Sequence, residues 1–464
     1  MNRRHLIKSL IASTIASSIP ASAFAMPPPE NAITKSVTSK KYPWRNWSGN
    51  QECFPALRAA PSNVAELQTL IRGSKGNIRA VGAGHSFSRL VPTDDTLISI
   101  RRIAGLRSAD KVQKTASIYA GTILNEMGPM LAEQNQALIN MPDIDQQTLS
   151  GAICTATHGT GQSLGSMSSY IKEIELVTAA GDIETCSESN NSELFKAAQV
   201  SLGALGIITS VTLQNTSPFK LKRESSWMSF EDGTAQAHQL AKENRNFEFF
   251  YFPFTGMILT DKLNKTTEAV QDKGELDGNS GIMDLKTARD YLSWSSKLRE
   301  LILGSYMKTI ETTTIIDHSY SIYATERNVR FNEMEYHLPA ETAMQALAEI
   351  RKAIESQFDE VFFPIECRFI HSEDAWMSPF HGRESVSIAV HRYFEEDYLP
   401  FFKVIEPILQ KYQGRPHWGK LNTFSAKQIS KAYPRFNDFK AVRQQYDPNG
   451  KFLNTYLKEI FEIS

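Results

Sequence analysis

Val81-Gly82-Ala83-Gly84-His85-Ser86-Phe87-Ser88 is the stretch from which the rest of the chain can be interpreted. It follows a run at residues 77–81 that predicts a buried strand, and its two glycines allow the backbone to turn tightly and approach a ligand closely. Successive main-chain N–H groups in such a turn form a concavity that binds anions such as phosphate. His85 adds a nucleophilic nitrogen beside it. An ordinary strand-to-loop turn with a surface histidine stays open at this point, because short glycine patterns are common.

The composition is typical of a soluble globular protein with two or three domains. The chain has 464 residues, of which 41% are hydrophobic and 22% are charged. Lys and Arg number 50 against 51 Asp and Glu, so the formal net charge is -1. No global field therefore recruits nucleic acid or an acidic membrane surface, and we expect neither as a partner.

The N-terminus predicts an export signal. A basic segment at residues 2–8 precedes a modestly apolar stretch at residues 10–19 and an A-x-A cleavage site at Ala23-Phe24-Ala25. Paired Arg3-Arg4 resembles a twin-arginine signal, with a general secretory signal as the alternative. We expect residues 1–25 to be removed on export to the periplasm, and residues 26–43 to form a flexible lead-in. No later stretch has the roughly 18 consecutive apolar residues of a membrane span.

A second glycine-rich region, residues 148–161, combines small residues with hydroxyls. Small residues permit close backbone approach, and hydroxyls supply hydrogen bonds to a polar, flat or phosphorylated ligand. An edge strand with a Gly/Thr loop is the alternative. Residues 207–213 predict a half-buried strand that closes this first α+β lobe.

The four cysteines do not indicate a zinc or redox site. They are widely spaced, with no C-x-x-C pair: Cys53, Cys154, Cys186 and Cys367. Export would permit disulfides, but burial as small hydrophobic residues is the expectation. No metal site is predicted.

The second half of the chain has longer elements. Residues 247–254 predict a buried strand, and residues 285–303 predict one helix. Residues 341–354 form the clearest amphipathic helix. These apolar stripes are assigned to the core.

Charged residues cluster in strand-like settings of this half. In Pro364-Ile365-Glu366-Cys367-Arg368-Phe369-Ile370 the alternation places Glu366 and Arg368 on one face and the apolar residues on the other. A second strand ends at His391, and the turn His417-Trp418-Gly419-Lys420 can project a lysine into a cleft. A solvated sheet face is the plain interpretation of each one. Together they predict a polar pocket floor for a polyhydroxylated substrate, with His391 available for proton transfer.

Several motifs in a fixed order resemble a known family. V-G-A-G-H-S, Q-T-L-S-G-A-I-C-T-A-T-H-G-T-G and S-L-G-A-L-G-I-I-T resemble the flavin-binding domain of the vanillyl-alcohol-oxidase type. W-S-G-N, E-C-R, A-V-H, H-W-G-K and D-P-N-G-K-F-L-N resemble one branch, the aldonolactone oxidases together with alditol oxidase. The resemblance spans residues 44–457.

The resemblance implies FAD as cofactor, joined covalently through His85. It assigns to cofactor binding Gly82, Ala83, Gly84, His85, Ser86, Phe87, Pro142, Ser150, Gly151, Ala152, Thr155, His158, Gly159, Gly161, Gly206 and Ile207. It also implies that Glu366 and Arg368 bind substrate, that Lys420 lies near the N1/C2 edge of the flavin and that His391 assists removal of the hydroxyl proton.

The chain departs from the family at one segment. Where many members have N-L-x-S, this chain has Asn140-Met141-Pro142-Asp143, so we expect an acidic side chain at the substrate. Pro142 and His85 favour a member that uses oxygen.

The expected fold is therefore α+β: a two-lobed FAD-binding domain at residues 44–217, a substrate domain at 218–415 with an antiparallel sheet covered by helices, and a segment at 416–464 that returns to the flavin. The expected activity is oxidation of a C–OH group of a sugar lactone, with O2 as acceptor and H2O2 formed. The alternatives are an alditol oxidase, a dehydrogenase that uses a periplasmic carrier, and a sugar-binding protein on a retired flavin fold.

Overall fold

The computed structural model describes residues 42–271, 278–292, 294–324 and 329–463, which belong to one compact unit. The predicted export signal and nearly all of the predicted lead-in lie outside these residues. Within them, no helix is long and apolar enough to cross a membrane.

Small sheets surround the glycine-rich turn. The elements are β1 Trp44–Arg45, β2 Glu52–Cys53, β3 Leu57–Ala59, α1 Val64–Gly73, β4 Ile78–Val81 and β5 Thr96–Ser99. β1 and β2 pair antiparallel, while β3, β5 and β4 form a parallel sheet in that order. Leu67 and Ile71 of α1 are fully buried, one helical turn apart. The predicted strand before the turn is β4.

A five-stranded antiparallel sheet follows. Its elements and the helices beside it are β6 Leu106–Asp110, β7 Thr115–Tyr119, α2 Leu124–Ala132, α3 Leu149–Cys154, β8 Ile171–Val177, β9 Ile183–Ser187, α4 Ser192–Ala198 and β10 Ile207–Gln214. The strand order is β6-β7-β10-β8-β9. Residues 207–213 form a strand as predicted, but the prediction that it is half-buried is wrong, because β10 lies at the centre of the sheet and even Thr209 and Ser210 are buried.

The rest of the chain builds an eight-stranded sheet and its helices. The bounds are β11 Lys220–Ser229, α5 Phe230–Glu243, β12 Asn246–Phe252, β13 Met257–Thr266, α6 Gly278–Leu292, α7 Ser296–Met307, β14 Thr313–His318, α8 Ser319–Tyr323, β15 Phe331–Pro339, α9 Ala343–Gln357, β16 Ile365–Ile370, β17 Ser385–Tyr393, α10 Leu399–Lys411 and β18 Arg415–Pro416. In the part of the chain that is described, the order is β14-β11-β13-β12-β16-β17-β15-β18, with antiparallel pairing throughout.

Helices α5, α9 and α10 cover one face of this sheet. Their apolar residues share one core with alternate residues of the strands, among them Phe249, Tyr336, Cys367 and Ile388. The predicted α+β fold, with an antiparallel sheet covered by helices, is confirmed. The intervening strand residues point to the opposite face, and many of these are charged.

The structure has two helices where the sequence predicts one. The prediction of a single helix over residues 285–303 is wrong, because α6 ends at Leu292 and α7 begins at Ser296. The Ser295 hydroxyl accepts a hydrogen bond from the Leu298 N–H at 3.3 Å, which caps α7. The apolar spacing continues across this cap, so periodicity alone did not show the break.

The last helices, α11 Ala426–Ala432, α12 Phe436–Tyr446 and α13 Thr455–Phe461, return to the first half of the chain. Their apolar residues join the same core as α1, β4 and β10. Buried Arg79 of β4 ties the two together, since its guanidinium donates to four main-chain carbonyls, those of Leu90, Leu202, Gly203 and Phe452. Burial lowers the pKa of Arg79 to about 10. The residue is a polar staple inside an apolar core.

Candidate active site

A cleft, open to solvent, lies between the glycine-rich stretches and the turn at residues 417–420. The predicted cofactor-binding residues that line it are Gly82, Ala83, Gly84, His85, Ser86, Ser150, Gly151, Thr155, Gly206 and Ile207. His417 and Lys420 also line the cleft. The two glycine-rich stretches, distant in sequence, therefore form one wall.

The glycine turn fits a closely approaching cofactor. Gly84 has φ +74°, a left-handed conformation that favours glycine. A Cβ at Gly82 would lie 2.1 Å from the Thr148 hydroxyl, so no larger residue fits between the turn and α3. Main-chain N–H groups and hydroxyls thus face the cleft with little side chain between them, which suits a phosphate-bearing, flat ligand such as FAD.

His85 is held in place by the segment at residues 46–51. Its ring stacks on Trp47 with centroids 5.4 Å apart, and the Trp47 N–H donates to the Gly84 carbonyl at 2.8 Å. Burial, followed by the charge of Lys420, lowers the pKa of His85 to about 4. The imidazole is therefore neutral near pH 7 and keeps a lone pair on one ring nitrogen.

The other predicted cofactor-binding residues lie behind the cleft wall. Ala152 is in the core, Pro142 is buried and Phe87 packs against Phe331. The Gly161 N–H donates to the Phe369 carbonyl at 2.7 Å, and a Cβ at Gly159 would lie 2.2 Å from the Met141 carbonyl oxygen. His158 hydrogen-bonds Glu335 at 2.9 Å. In this structure these residues support the wall rather than line it.

Strand register brings the predicted substrate residues to the polar face of the eight-stranded sheet. Across β12, β16, β17 and β15, one row contains Glu248, Arg368, Ser387 and His337. The neighbouring rows place Glu366 near Glu335 and His391 directly opposite Glu333. Residues opposite one another in antiparallel strands share a face. The alternation predicted for Glu366 and Arg368 is confirmed, but the face is buried rather than solvated.

Arg368 is surrounded by carboxylates. Its guanidinium contacts Glu366, Glu248 at 2.8 Å and Asp143 at 3.1 Å. Burial opposes its charge, but Asp143, Glu366 and Glu248 outweigh burial and raise the pKa of Arg368 well above its ordinary value. Asp143, the residue at the departure from the family pattern, thus joins this cluster. The guanidinium is fixed in direction before any substrate binds.

Lys420 is paired with two residues of β15. Its ammonium contacts a Glu333 carboxylate oxygen, and a Glu335 oxygen lies 3.8 Å away. The ammonium also lies 5.2 Å from the centre of the Phe87 ring. Burial opposes the charge, but Glu333 and Glu335 raise the pKa of Lys420. The lysine therefore presents a permanent positive charge at the cleft.

His391 is oriented by a main-chain carbonyl. Its Nδ1 lies 3.2 Å from the Pro364 oxygen, and because a carbonyl only accepts, Nδ1 carries the proton of the neutral ring. Nε2 lies 3.7 Å from Glu333 Oε1. In this tautomer Nε2 holds the lone pair and is the atom able to accept a proton.

Glu333, Glu335 and His337 were missed from the sequence. The signal was the alternation of β15, in which these residues interleave with the core residues Met334, Tyr336 and Leu338. Burial opposes the charge of Glu335, but His158, His417 and Lys420 hold its pKa well below the ordinary range. Burial lowers the pKa of His417 to about 3. His158, Glu335 and His337 each have one atom that could coordinate a metal ion, and these three atoms lie within 4.8 Å of one another. His158 and Glu335, however, already pair directly with each other.

The chain is similar to lactone-oxidising flavoproteins. Residues 211–460 match the family model described as D-arabinono-1,4-lactone oxidase, and residues 55–187 match an FAD binding domain. An L-gulono-1,4-lactone dehydrogenase of Mycobacterium tuberculosis is 34% identical over 430 residues, covering 90% of this chain and 98% of the relative. The L-gulonolactone oxidase of Mus musculus is 29% identical over 438 residues with the same coverage.

A solved structure has the same fold. The crystal structure of cholesterol oxidase from B. sterolicum superposes with a TM-score of 0.75 at 14% identity, covering 95% of this chain and all of that chain. At this identity the likeness concerns the fold alone. It agrees with the predicted two-part architecture of a flavin domain and a helix-covered antiparallel sheet.

Proposed function

Because the chain belongs to the D-arabinono-1,4-lactone oxidase family and is an FAD-linked oxidoreductase that acts on CH–OH donors, we propose that it oxidises a C–OH group of a sugar-derived aldonolactone. We propose O2 as the electron acceptor. Bound FAD supplies the two-electron acceptor for the hydride. The observation that carries this proposal is the cleft itself. Both glycine-rich stretches line it together with Lys420, and Lys420 shares Glu333 with His391.

The residues of the polar face have complementary roles in this proposal. Glu366 accepts hydrogen bonds from substrate hydroxyls, and Arg368 donates them from a fixed direction. His391 Nε2 accepts the hydroxyl proton as the carbonyl forms. The positive charge of Lys420 would stabilise the negative charge that develops on the cofactor. Arg368 is already neutralised by carboxylates, so the site suits a neutral lactone rather than an acid anion.

A panel of aldonolactones and alditols tests the reaction. In the absence of oxygen, a substrate is expected to bleach the FAD absorbance of the purified protein, and admitted air is expected to restore it rapidly with one H2O2 for each turnover. Slow reoxidation in air with rapid reoxidation by a soluble electron carrier would favour a dehydrogenase, the activity for which the mycobacterial relative is named. A coloured protein that no lactone or alditol bleaches would contradict the proposal.

His85 is proposed to hold the FAD through a bond between a ring nitrogen and the flavin 8-methyl carbon. The neutral ring at the cleft supports this role, since a protonated imidazole has no lone pair to form the bond. We expect the yellow colour to stay with the polypeptide after acid denaturation, and to be released from the His85→Ala variant. His371→Ala is the matched control, because that side chain is 51% exposed and does not line the cleft. Colour released from the unchanged protein would contradict the bond.

Export to the periplasm is proposed from residues 1–25. Paired Arg3-Arg4 supports the twin-arginine route, which suits a protein that folds with its cofactor before transport. Cell fractionation of chains with and without residues 1–25 measures it, and equal distribution of both would contradict it.

A further inference from the structure

Glu333 lies between Lys420 and His391, two residues of the proposed reaction. We propose that Glu333 is a positioning residue, which fixes the ammonium of Lys420 with one carboxylate oxygen and places the other where it faces the imidazolium that forms on His391. This inference rests on the function proposed above. It adds a residue from β15 to a site otherwise built from β16, β17 and the turn at 417–420.

The backbone of β15 sets the position of Glu333. The strand pairs with β17 so that Glu333 is directly opposite His391. On its other edge, the Glu333 carbonyl accepts from the Leu421 N–H and the Glu335 carbonyl accepts from the His417 N–H, both at 3.0 Å. One strand therefore fixes the main chain on both sides of the pocket. The Glu333 side chain starts midway between His391 and Lys420.

The two carboxylate oxygens of Glu333 have separate partners. Oε2 accepts from the Lys420 ammonium, and Oε1 faces His391 Nε2 at 3.7 Å. Glu333 is 3% exposed, so water competes little for either oxygen. The Pro364 carbonyl accepts from the other nitrogen of His391 and so fixes the ring with Nε2 toward Glu333.

This geometry has a consequence when a proton moves. As the substrate O–H bond breaks, its proton goes to His391 Nε2, its electron pair forms the carbonyl bond, and the hydride leaves the same carbon for the cofactor. The imidazolium that results faces a carboxylate whose position is already fixed. Such preorganised charge stabilises the product of proton transfer without reorganisation at that moment. The rings of Phe331 and Phe363, which also pack against His391, carry no charge that could take the place of this carboxylate.

The charge of Lys420 depends on the same carboxylate. The charged and titratable groups that act on the ammonium are Glu333, Glu335, Asp143, His85 and His417. Glu333 is the strongest of those that raise the pKa of Lys420 against burial. Lys420 now stays charged above its ordinary titration range. With Glu333 neutral, burial is opposed mainly by Glu335 at 3.8 Å, so the charge is lost at lower pH.

The test is the Glu333→Gln variant with two measurements. In anaerobic single turnover, the rate of FAD reduction by a lactone is expected to fall about 100-fold, because the imidazolium that forms on His391 loses the carboxylate that stabilises it. The pH at which this rate declines on the alkaline side is expected to be lower in the variant than in the unchanged protein. In the resting protein without substrate, acetylation of Lys420 by acetic anhydride, followed by peptide mass spectrometry, is expected to reach half its maximum at least about one pH unit lower. Glu373→Gln is the matched control, since it also removes a buried carboxylate but contacts Ser166 and Ser169 instead.

Unchanged reduction rates and unchanged Lys420 acetylation in Glu333→Gln would overturn the proposal. If that variant does not fold, Glu333→Asp carries the test: it is expected to keep the acetylation midpoint and to lower the rate, and a rate equal to that of the unchanged protein would overturn it. If no lactone reduces the FAD of the unchanged protein, the proposed function fails. The acetylation of Lys420 then still measures whether Glu333 holds the ammonium.

Discussion

Replacement of His391 by glutamine is expected to slow the reduction of bound FAD by substrate about 10²- to 10⁴-fold, the usual contribution of a positioned general base. Glutamine can still donate to the Pro364 carbonyl, but it has no nitrogen that accepts a proton. Substrate binding should change much less, because Glu366 and Arg368 keep their contacts with each other and with Asp143. Anaerobic stopped-flow absorbance measures the rate and the substrate affinity together.

The control for this experiment is His371→Gln, which removes an exposed histidine paired with Glu384. It is expected to reduce FAD at the rate of the unchanged protein. A His391→Gln protein that also keeps that rate would show that another group, or water, accepts the proton. A large loss of affinity with an unchanged maximal rate would place His391 in binding alone.

The second large effect is expected in stability. Arg79→Met should lower the free energy of unfolding by about 3–5 kcal/mol, because it leaves four buried carbonyls without their donor. The loss is smaller than the sum of four hydrogen bonds, since burial already opposes the charge of Arg79. Urea denaturation of the protein without FAD, followed by tryptophan fluorescence, measures it.

Arg79→Lys and Arg58→Met make the result specific. Lysine restores the charge, but its single ammonium cannot donate to all four carbonyls as the guanidinium does, so most of the loss in the free energy of unfolding should remain. Arg58 is exposed, and its replacement should change the free energy of unfolding by less than about 0.5 kcal/mol. Equal losses of unfolding free energy in Arg79→Met and Arg58→Met would contradict the stabilising role of the four Arg79 hydrogen bonds.

Local patterns predicted much of this site. The glycine turn after β4 and the alternation of Glu366 with Arg368 depend on short-range backbone geometry, and both are found as predicted. His158 differs: the resemblance assigns it to cofactor binding, and in the structure it pairs with Glu335 across 177 positions of sequence. No local pattern reports such a partner.

β15 shows the limit most plainly. Its alternation predicts only that Glu333, Glu335 and His337 share a face, not what that face meets. Their role depends on the placement of β15 between β17 and β18, which brings together strands from three distant parts of the chain. Strand order is a property of the whole fold. The functional pair at residues 366 and 368 could therefore be identified from local sequence, whereas the pair at residues 333 and 335 could not.

The glycine turn is fastened by residues from both ends of the chain. The Trp47 N–H reaches Gly84 from one side, while the Phe87 N–H and the Ser88 hydroxyl donate to the Gly419 and Trp418 carbonyls from the other. The last contact spans 330 residues. On the ribosome, therefore, the turn cannot take its final shape until translation is nearly complete. Cofactor loading is then a late, post-translational event, and a chain that stops before residue 418 carries the glycine motif without a finished cradle.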